Sequence, residues 1–425
     1  MAVRAGIVVT GTEVLTGRVA DRNGPWLAEA LRTTGVDVGS VVVVGDRADD
    51  LRAALAFLAG SGVDLLITTG GLGPTADDLT AAVVGEFQGR PSEVDPELEQ
   101  RIAAVVERLT AMRGWDTPPE AAAAGIAKQA LVPVGATVLE PVGTAPGLVV
   151  PVAEGRSVPP VLVLPGPPVE LQGMWPAALA AEPVRRALAG ATELRQSTLR
   201  LWGTPESELA ATLRRVDDEL TGLEVTTCLR EGELEIVTRY GPDAAEAYDR
   251  LVAAVRADFA ETLFSAGPTV DELVATLLDQ RGWTVAVGEA DTGGLVTARL
   301  TRAPGSSRRV LGGVVAYANE AKEQLLDVPV AVLAEHGAVS AAGAVALAEG
   351  ARRRFGADLG IGVSGIAGPG GGTAEKPVGT LHLAVAAATG TTTAAHRLRG
   401  DRGAVRERAT TLVLHELRQL LTAAG

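Results

Sequence analysis

Short apolar runs alternate with helix-patterned segments at both ends of the chain, and this alternation constrains the fold more than any other feature. Near the start, apolar runs at residues 5–10, 36–44 and 64–69 are separated by segments with helical spacing at 26–31 and 51–58. Strands that alternate with helices indicate a parallel sheet with helices on both faces. The pattern returns in the last third of the chain, where it predicts a second sheet of the same kind.

A turn near residues 165–168 marks the predicted end of the first domain, the character of the sequence changes from about residue 195, and a turn at 266–268 begins the third unit. Between these turns, the order of strand, helix, hairpin and helix predicts a small module. A chain of 425 residues allows two or three domains at about 150 residues each. We therefore predict an α/β protein with two three-layer α/β/α domains, at 1–170 and 267–425, joined by a small α+β, KH-like module at 171–266.

Net charge and hydropathy exclude some classes of partner. The chain has 38 Lys and Arg against 52 Asp and Glu, a net charge of −14. This balance argues against nucleic acid or an anionic membrane as the main partner. The first residues lack a basic region followed by an apolar core, and there is no apolar run of about 18 residues. We therefore expect a cytoplasmic protein.

Only three of the 38 cationic residues are lysines, namely Lys128, Lys322 and Lys376. Arginine has replaced lysine elsewhere, so a lysine that remains is expected where the planar guanidinium cannot substitute for it. We take these three lysines as markers of functional sites.

Cysteine and histidine usage narrows the metal chemistry. Cys228 is the only cysteine, which excludes an intrachain disulfide and a zinc site built from several thiolates. All four histidines lie after residue 335. Any metal site before that point must use carboxylates and water, which favours Mg²⁺ or a similar hard cation.

A glycine-rich loop at residues 68–78 reads TTGGLGPTADD and follows a predicted strand. Its glycines permit positive φ angles and a close approach to a bound group, and amides at a helix start favour phosphate. Asp77 and Asp78 could hold Mg²⁺ there. The alternative is that Asp77 caps the next helix and Asp78 complements its dipole. Glu13, in a loop after the first strand, should open on the same sheet edge, unless it is merely solvated.

Two segments near the C-terminus also suggest a site. Six glycines between residues 364 and 380 favour a backbone cradle for a phosphate or ribose, with a flexible surface loop as the alternative. Tyr317 should end a strand, and Lys322 should lie one turn into the next helix. A partly desolvated lysine there would have a lowered pKa and could act as a base, whereas a solvated lysine would not.

The ordered motifs GTEVLTG, TTGGLGPTADD, KQA, GTAPG and LPGPPVE resemble the molybdopterin-binding-like domain of the competence/damage-inducible protein A (CinA) family. The resemblance covers the whole chain and implies a metal-dependent ADP-ribose pyrophosphatase. It makes Asp77 and Asp78 catalytic and adds Glu13 as a metal ligand. The implied nucleotide-binding residues here are Gly70, Gly71, Gly73, Thr75 and Lys128. Molybdenum-cofactor chemistry is the alternative that the fold alone suggests.

The C-terminal segments resemble the family's nicotinamide-nucleotide amidohydrolase domain, which converts nicotinamide mononucleotide to the nicotinate form and ammonia. The resemblance implies a serine nucleophile, with Lys322 as base and Tyr317 as its assistant, and no cofactor. It also implies a homodimer. The nucleotide-binding residues that it implies are Glu289, Thr292, Gly293, Gly294, Asn319, Gly365, Gly368 and Lys376.

One departure from the family pattern affects this activity. The nucleophile belongs to a Glu-Ser-Cys-Thr-Gly-Gly motif, but this chain has Ala290 and Asp291 at the serine and cysteine positions. Alanine cannot form an acyl-enzyme, and loss of a catalytic serine costs roughly 10⁶ in rate, about 8 kcal/mol of barrier. Thr292 lies two residues on and should point elsewhere. We therefore expect a C-terminal nucleotide pocket with impaired deamidase activity.

Two classes of function follow from these observations. The first is a pyridine-nucleotide hydrolase that is active at its N-terminal domain and acts on small nucleotides. The alternative is a non-enzymatic nucleotide-binding protein that works through partners in competence or stress responses. The acidic cluster favours the first, and Ala290 favours the second for the C-terminal half.

Overall fold

The computed structural model describes residues 3–114, 118–192 and 194–423. The chain forms two compact units, Met1–Gln196 and Ser197–Gly425. Within the three described ranges, no helix is both long enough and apolar enough to cross a membrane.

The first unit alternates strands and helices as the sequence predicts. Its elements are β1 (Arg4–Thr10), α1 (Thr12–Leu15), α2 (Asn23–Thr33), β2 (Asp37–Val44), α3 (Ala48–Gly60), β3 (Leu65–Thr69), α4 (Thr80–Gln88), β4 (Ser92–Val94), α5 (Pro96–Arg113), α6 (Pro119–Gln129), β5 (Leu131–Pro133), β6 (Thr137–Leu139), β7 (Gly147–Val150), β8 (Val161–Leu164), α7 (Pro168–Ala180) and α8 (Glu182–Ala187).

The main sheet of this unit has the strand order β2-β1-β3-β8-β7-β6. The first four strands are parallel, whereas β7 is antiparallel to both β8 and β6. The short connections between β6, β7 and β8 explain the difference from an all-parallel sheet, because a parallel crossover needs about a dozen residues or more, usually with a helix. Strands β4 and β5 form a separate two-stranded ladder.

Alternating side chains place two cores on opposite faces of this sheet. Val8 and Leu66 belong to one core, with Leu55 of α3. Ile7 belongs to the other core, with Leu27 of α2. The three-layer α/β/α arrangement is thus confirmed. Helix α7 also contributes to the second core, although the predicted domain boundary at residue 170 falls within it.

The second unit contains a strand–helix–hairpin–helix module followed by an α/β domain. Its elements are β9 (Arg195–Trp202), α9 (Glu206–Val216), β10 (Leu223–Arg230), β11 (Glu233–Tyr240), α10 (Ala245–Asp258), β12 (Leu263–Ala266), α11 (Val270–Arg281), β13 (Val285–Glu289), α12 (Leu295–Leu300), β14 (Val310–Val315), α13 (Asn319–Leu326), α14 (Val330–His336), α15 (Ala341–Phe355), β15 (Leu359–Gly365), β16 (Thr380–Ala387), β17 (Gly390–Arg397) and α16 (Arg402–Ala423).

The module has a sheet with the order β10-β11-β9-β12. Apolar residues of α9 and α10, including Leu209 and Leu251, pack with Leu199 and Ile236 of this sheet in one core. The module meets the following domain at His415 of α16. That imidazole stacks on the Trp202 ring and forms a hydrogen bond with Glu233 at 2.9 Å.

The C-terminal domain has the strand order β14-β13-β15-β16-β17. The first three strands are parallel and the last two antiparallel. Helices α11 and α16 share a core with one face, and α15 packs on the other. A side chain at Gly360 or Gly362 would collide with carbonyl oxygens of α15, so glycine there lets this Ala-rich helix lie close to β15.

Candidate functional sites

A cavity of about 360 Å³ lies at the carboxyl ends of the parallel strands in the first unit. The loops that line it follow β1, β2, β3 and β8, which is where ligands bind in sheets of this kind. A binding site at this edge of the sheet was predicted from the sequence. Six of the predicted residues line the cavity, namely Glu13, Gly70, Gly71, Gly73, Asp77 and Asp78.

Asp77 and Asp78 are brought together by Thr75. The Thr75 hydroxyl lies 2.5 Å from Oδ1 of Asp77 and 2.6 Å from Oδ2 of Asp78, and the Thr75 amide donates to Asp78 at 2.9 Å. The hydrogen bond from Thr75 lowers the pKa of Asp77, assisted by a backbone amide and by the charge of Lys128. Asp77 does not cap α4, since Leu79 occupies the N-cap position. The interpretation of Asp77 as the cap of this helix is therefore wrong.

Thr75 and Lys128 do not line this cavity, although the resemblance implied that they bind nucleotide. Lys128, near the end of α6, donates its ammonium to the backbone oxygen of Thr75. The next residue, Gln129, lines the cavity and donates to the Leu72 oxygen at 3.0 Å. Thr75 and Lys128 therefore shape the loop that carries the two aspartates.

Asp46 and Glu170 also line this cavity, although neither was predicted from the sequence to belong to a site. The Asp46 carboxylate accepts a hydrogen bond from the Thr12 amide at 2.8 Å. Glu170 lies in the first turn of α7, where burial raises its pKa. Asp46 lies two residues after the end of β2, so the strand-end rule that selected Glu13 also points to it.

The lining of the N-terminal cavity is strongly acidic. Among the described residues that line it, five carry carboxyl groups and none is lysine or arginine. No group of three or more Asp, Glu, His or Cys side chains in the described ranges is arranged to hold a metal ion. Mg²⁺ commonly binds one or two carboxylates together with water and substrate phosphates. The adjacent carboxylates of Asp77 and Asp78 fit that mode.

A second cavity, of about 470 Å³, shares Thr10, Glu13 and Gly166 with the first. Asn23 of α2 lines it and donates to the Thr69 hydroxyl at 2.9 Å and to the Gly166 oxygen at 2.6 Å. Through these two hydrogen bonds, Asn23 links the end of β3 to the loop after β8. The two cavities therefore adjoin at Glu13.

In the C-terminal domain, a cavity of about 260 Å³ lies at the carboxyl ends of β13, β14 and β15. The glycine-rich loop and the start of α13 border it. It brings together seven residues that were singled out from the sequence, namely Ala290, Asp291, Tyr317, Asn319, Lys322, Gly365 and Gly368.

Lys322 lies in the first turns of α13, as predicted, and its residue surface is only 3% exposed. Its ammonium donates to the Tyr317 backbone oxygen at 2.7 Å. Burial lowers the pKa of Lys322, while the charges of Asp291 and Glu320 oppose that shift. A solvated lysine is therefore excluded. Strand β14 ends two residues before Tyr317, whose exposed hydroxyl meets Arg402 at 3.1 Å.

Glu289, the last residue of β13, is fully buried and organises the following turn. Its carboxylate accepts hydrogen bonds of 2.7–3.1 Å from Thr292, Gly294, Val296 and Thr297. Four predicted nucleotide-binding residues, Glu289, Thr292, Gly293 and Gly294, do not line the cavity. The Thr292 hydroxyl bonds Glu289, so it does not replace a nucleophile at position 290.

Two cationic residues near the glycine-rich loop have different placements. Lys376 donates to the His336 backbone oxygen at 2.7 Å and does not line the cavity. Arg402, which the sequence analysis missed, lines the cavity and donates to the Gly368 oxygen at 2.8 Å. Arg402 belongs to no motif, and the chain has 35 arginines, so an arginine by itself does not indicate a site.

The two residues that depart from the family pattern both line the cavity. Ala290 is 7% exposed and Asp291 is 6% exposed. Burial raises the pKa of Asp291 to about 6, although nearby amides and Arg406 oppose the shift. The Ser364 hydroxyl also lines the cavity, but it donates to the Ala338 oxygen at 2.9 Å rather than to a base.

Comparison with known proteins matches both halves of the chain to families. Residues 6–184 match the family described as "Probable molybdopterin binding domain", and residues 268–421 match the CinA C-terminal domain. A CinA-like protein from Mycobacterium sp. (strain JLS) is 55% identical, with 99% of each chain covered. A CinA-like protein from Mycolicibacterium gilvum is 54% identical, with 100% of each chain covered.

Solved structures of similar proteins match a smaller part of the chain. A CinA superfamily protein from Klebsiella pneumoniae is 34% identical, with 37% of this chain and 99% of that one covered and a TM-score of 0.35. The competence/damage inducible protein CihA from Agrobacterium tumefaciens is 38% identical, with the same coverage and TM-score. The full-length relatives carry the assignment: this chain belongs to the CinA family.

Proposed function

We propose that the N-terminal cavity hydrolyses the pyrophosphate bond of ADP-ribose with a divalent cation. The observation that carries this proposal is the acidic lining of a cavity beside a glycine loop at the strand ends. A diphosphate would be repelled by five carboxyl groups unless a cation offset their charge. Asp77 and Asp78 would hold Mg²⁺, which supplies charge stabilisation to the phosphate oxygens when bound.

The residues of the chain would then perform the remaining steps. Backbone amides of the loop at 70–73 bind phosphate oxygens, for which the permissive glycine backbone is suited. A cavity carboxylate accepts the proton of the attacking water while the P–O–P bond breaks, giving AMP and ribose 5-phosphate. Glu170 is our candidate for this base, because burial raises its pKa toward neutral pH, where a general base is most effective.

For the C-terminal cavity, we propose binding of nicotinamide mononucleotide without efficient deamidation. Lys322 and Tyr317 border the cavity, but Ala290 has no atom that can attack an amide carbon. This favours the non-enzymatic alternative for that half of the chain, as a binding module that acts through partners. A homodimer remains our expectation from the family resemblance.

The test is a pair of product assays on the purified full chain. With ADP-ribose and Mg²⁺ we expect AMP, and with nicotinamide mononucleotide we expect binding without ammonia release. Failure of the first assay would remove the pyrophosphatase assignment. Rapid ammonia release in the second would remove the assignment of a deficient deamidase.

A further inference from the structure

The buried carboxylate of Asp291 accepts no hydrogen bond from any side chain in the part of the chain that the structure describes. Its residue surface is 94% buried, and no hydrogen bond of good geometry reaches either carboxylate oxygen from the described residues, although the nearby backbone amides of Asp291 and Gly365 favour its charged form. A buried, unpartnered polar group is uncommon in folded proteins and calls for a physical explanation. Because Asp291 lines the C-terminal cavity, a bound ligand can supply the missing donors.

The neighbouring cations are engaged elsewhere. The ammonium of Lys322 donates to the backbone oxygens of Tyr317 and Ala318. Arg406 of α16 donates to the backbone oxygens of Asp291 and Thr292, at 3.0 and 2.9 Å, rather than to the carboxylate. The Asp291 side chain therefore remains available as an acceptor.

We propose that Asp291 is the specificity-determining residue of the C-terminal cavity, where it accepts the N–H groups of a carboxamide on the ligand and disfavours ligands with a carboxylate at that position. The proposal rests on the proposed nucleotide binding at the same site. A carboxamide presents two N–H donors, whereas an ionised carboxylate is acceptor-only and would meet a second negative charge.

The rest of the cavity suits the opposite end of such a ligand. Exposed Arg402 and the glycines at positions 368, 370 and 371 border it. A guanidinium and a glycine-rich backbone are suited to a phosphate group. The cavity thus combines a buried acceptor with a more exposed anion-binding edge, which fits a mononucleotide that carries a carboxamide.

Binding of a matched ligand pair tests the proposal on the full chain. Nicotinamide mononucleotide and nicotinate mononucleotide differ only in one group, a carboxamide in the first and a carboxylate in the second, and we propose that this group faces Asp291. At pH 8 we expect calorimetry to show at least tenfold tighter binding of the amide. Asp291→Asn should reduce this preference below threefold, because an asparagine amide also donates to a carboxylate. Asp327→Asn, an exposed change outside the cavity, should leave it intact.

The pH dependence of the unmodified chain is a second measurement that needs no variant. Lys322, Arg406 and Glu289 are the charged groups that lie around Asp291. At pH 5 a protonated Asp291 can donate to the nicotinate group, so the preference should shrink at least threefold.

The possible results separate the two proposals. Equal affinities at pH 8, or a preference for nicotinate, would overturn the role of Asp291 and leave nucleotide binding standing. A preference that neither pH 5 nor Asp291→Asn changes would also overturn that role. Binding of neither nucleotide would overturn both proposals.

Discussion

Asp291 and Lys322 line the same cavity, but within the described chain no hydrogen bond or ion pair joins the carboxylate to the ammonium. Their charges nevertheless interact, since Asp291 opposes the burial-induced fall in the pKa of Lys322. Both groups are therefore held in a low-dielectric site without neutralising each other directly. The same cavity is lined by Ala290, whose side chain carries no nucleophilic atom.

Restoring the nucleophile should restore deamidation. The combined substitutions Ala290→Ser and Asp291→Cys recreate the family motif beside Lys322. We expect the double variant to release ammonia from nicotinamide mononucleotide at least 100-fold faster than the unmodified chain, because an absent serine costs roughly 10⁶ in rate. A coupled ammonia assay measures this change.

Adding Lys322→Met to that double variant provides the control. It should abolish the gained activity, since no base would remain to accept the serine proton. Ammonia release by the unmodified chain at the same rate as the double variant would show that position 290 does not limit the reaction.

The N-terminal cavity should lose its activity when its paired carboxylates are neutralised. Asp77→Asn with Asp78→Asn removes the negative charge that would hold Mg²⁺. We expect AMP release from ADP-ribose to fall by at least about 100-fold, the scale typical for removal of a key electrostatic group. Chromatographic quantification of AMP measures the loss.

Asp49→Asn is the matched control for this experiment, because Asp49 is exposed on α3 and does not line the cavity. Its AMP release should equal that of the unmodified chain. Undiminished activity in the Asp77 and Asp78 double variant would remove the metal-binding assignment.

Glu289 should contribute to stability rather than contact ligand. Glu289→Gln replaces one carboxylate oxygen by an NH₂ group, which cannot accept the hydrogen bonds that the surrounding N–H and O–H groups donate to that oxygen. We expect the free energy of unfolding to fall by about 2–4 kcal/mol, through lost hydrogen bonds and unsatisfied donors. Denaturant titration monitors the change, with exposed Glu320→Gln as control. A loss below about 0.5 kcal/mol would contradict this role.

Asp291 should make stability depend on pH. Its pKa is raised from 3.8 to about 6 in the folded chain, so the folded state binds the proton more tightly than the unfolded state. Its contribution to stability therefore falls as pH rises through about 4 to 6, and the full penalty is present above that window.

Asp291→Asn removes this titration. We compare the free energy of unfolding of the variant with that of the unmodified chain. The difference should increase in favour of the variant by up to about 3 kcal/mol as the pH rises from 4 to 8. Denaturant titrations at several pH values, with Asp327→Asn as control, measure the difference. A stability difference that does not change with pH would show that the Asp291 carboxyl is not perturbed by burial.

Periodicity predicted most of the fold, because the buried strands and amphipathic helices leave clear patterns. The predicted order of strand, helix, hairpin and helix in the small module is observed in β9, α9, the hairpin of β10 and β11, and α10. The antiparallel placement of β7 was not predicted. A short apolar run indicates a strand but does not specify its direction, which depends on the connections and the neighbouring strands.

The candidate sites were predictable where a motif follows a strand. Glu13, Asp77 and Lys322 were found in this way. Arg402 was not, since it lies far along the chain from the other lining residues and belongs to no local pattern. Lys128 and Lys376 were predicted to mark functional sites, but neither lines the cavity of its own domain, and each donates to a backbone oxygen, that of Thr75 and that of His336 respectively.

The most direct test of the central claim is the release of AMP from ADP-ribose by the purified full chain, measured with Mg²⁺ and again with excess EDTA. We predict equal amounts of AMP and ribose 5-phosphate with Mg²⁺ and no product with EDTA. Absence of AMP at saturating Mg²⁺, or equal AMP release in EDTA, would contradict a metal-dependent pyrophosphatase at the acidic N-terminal cavity.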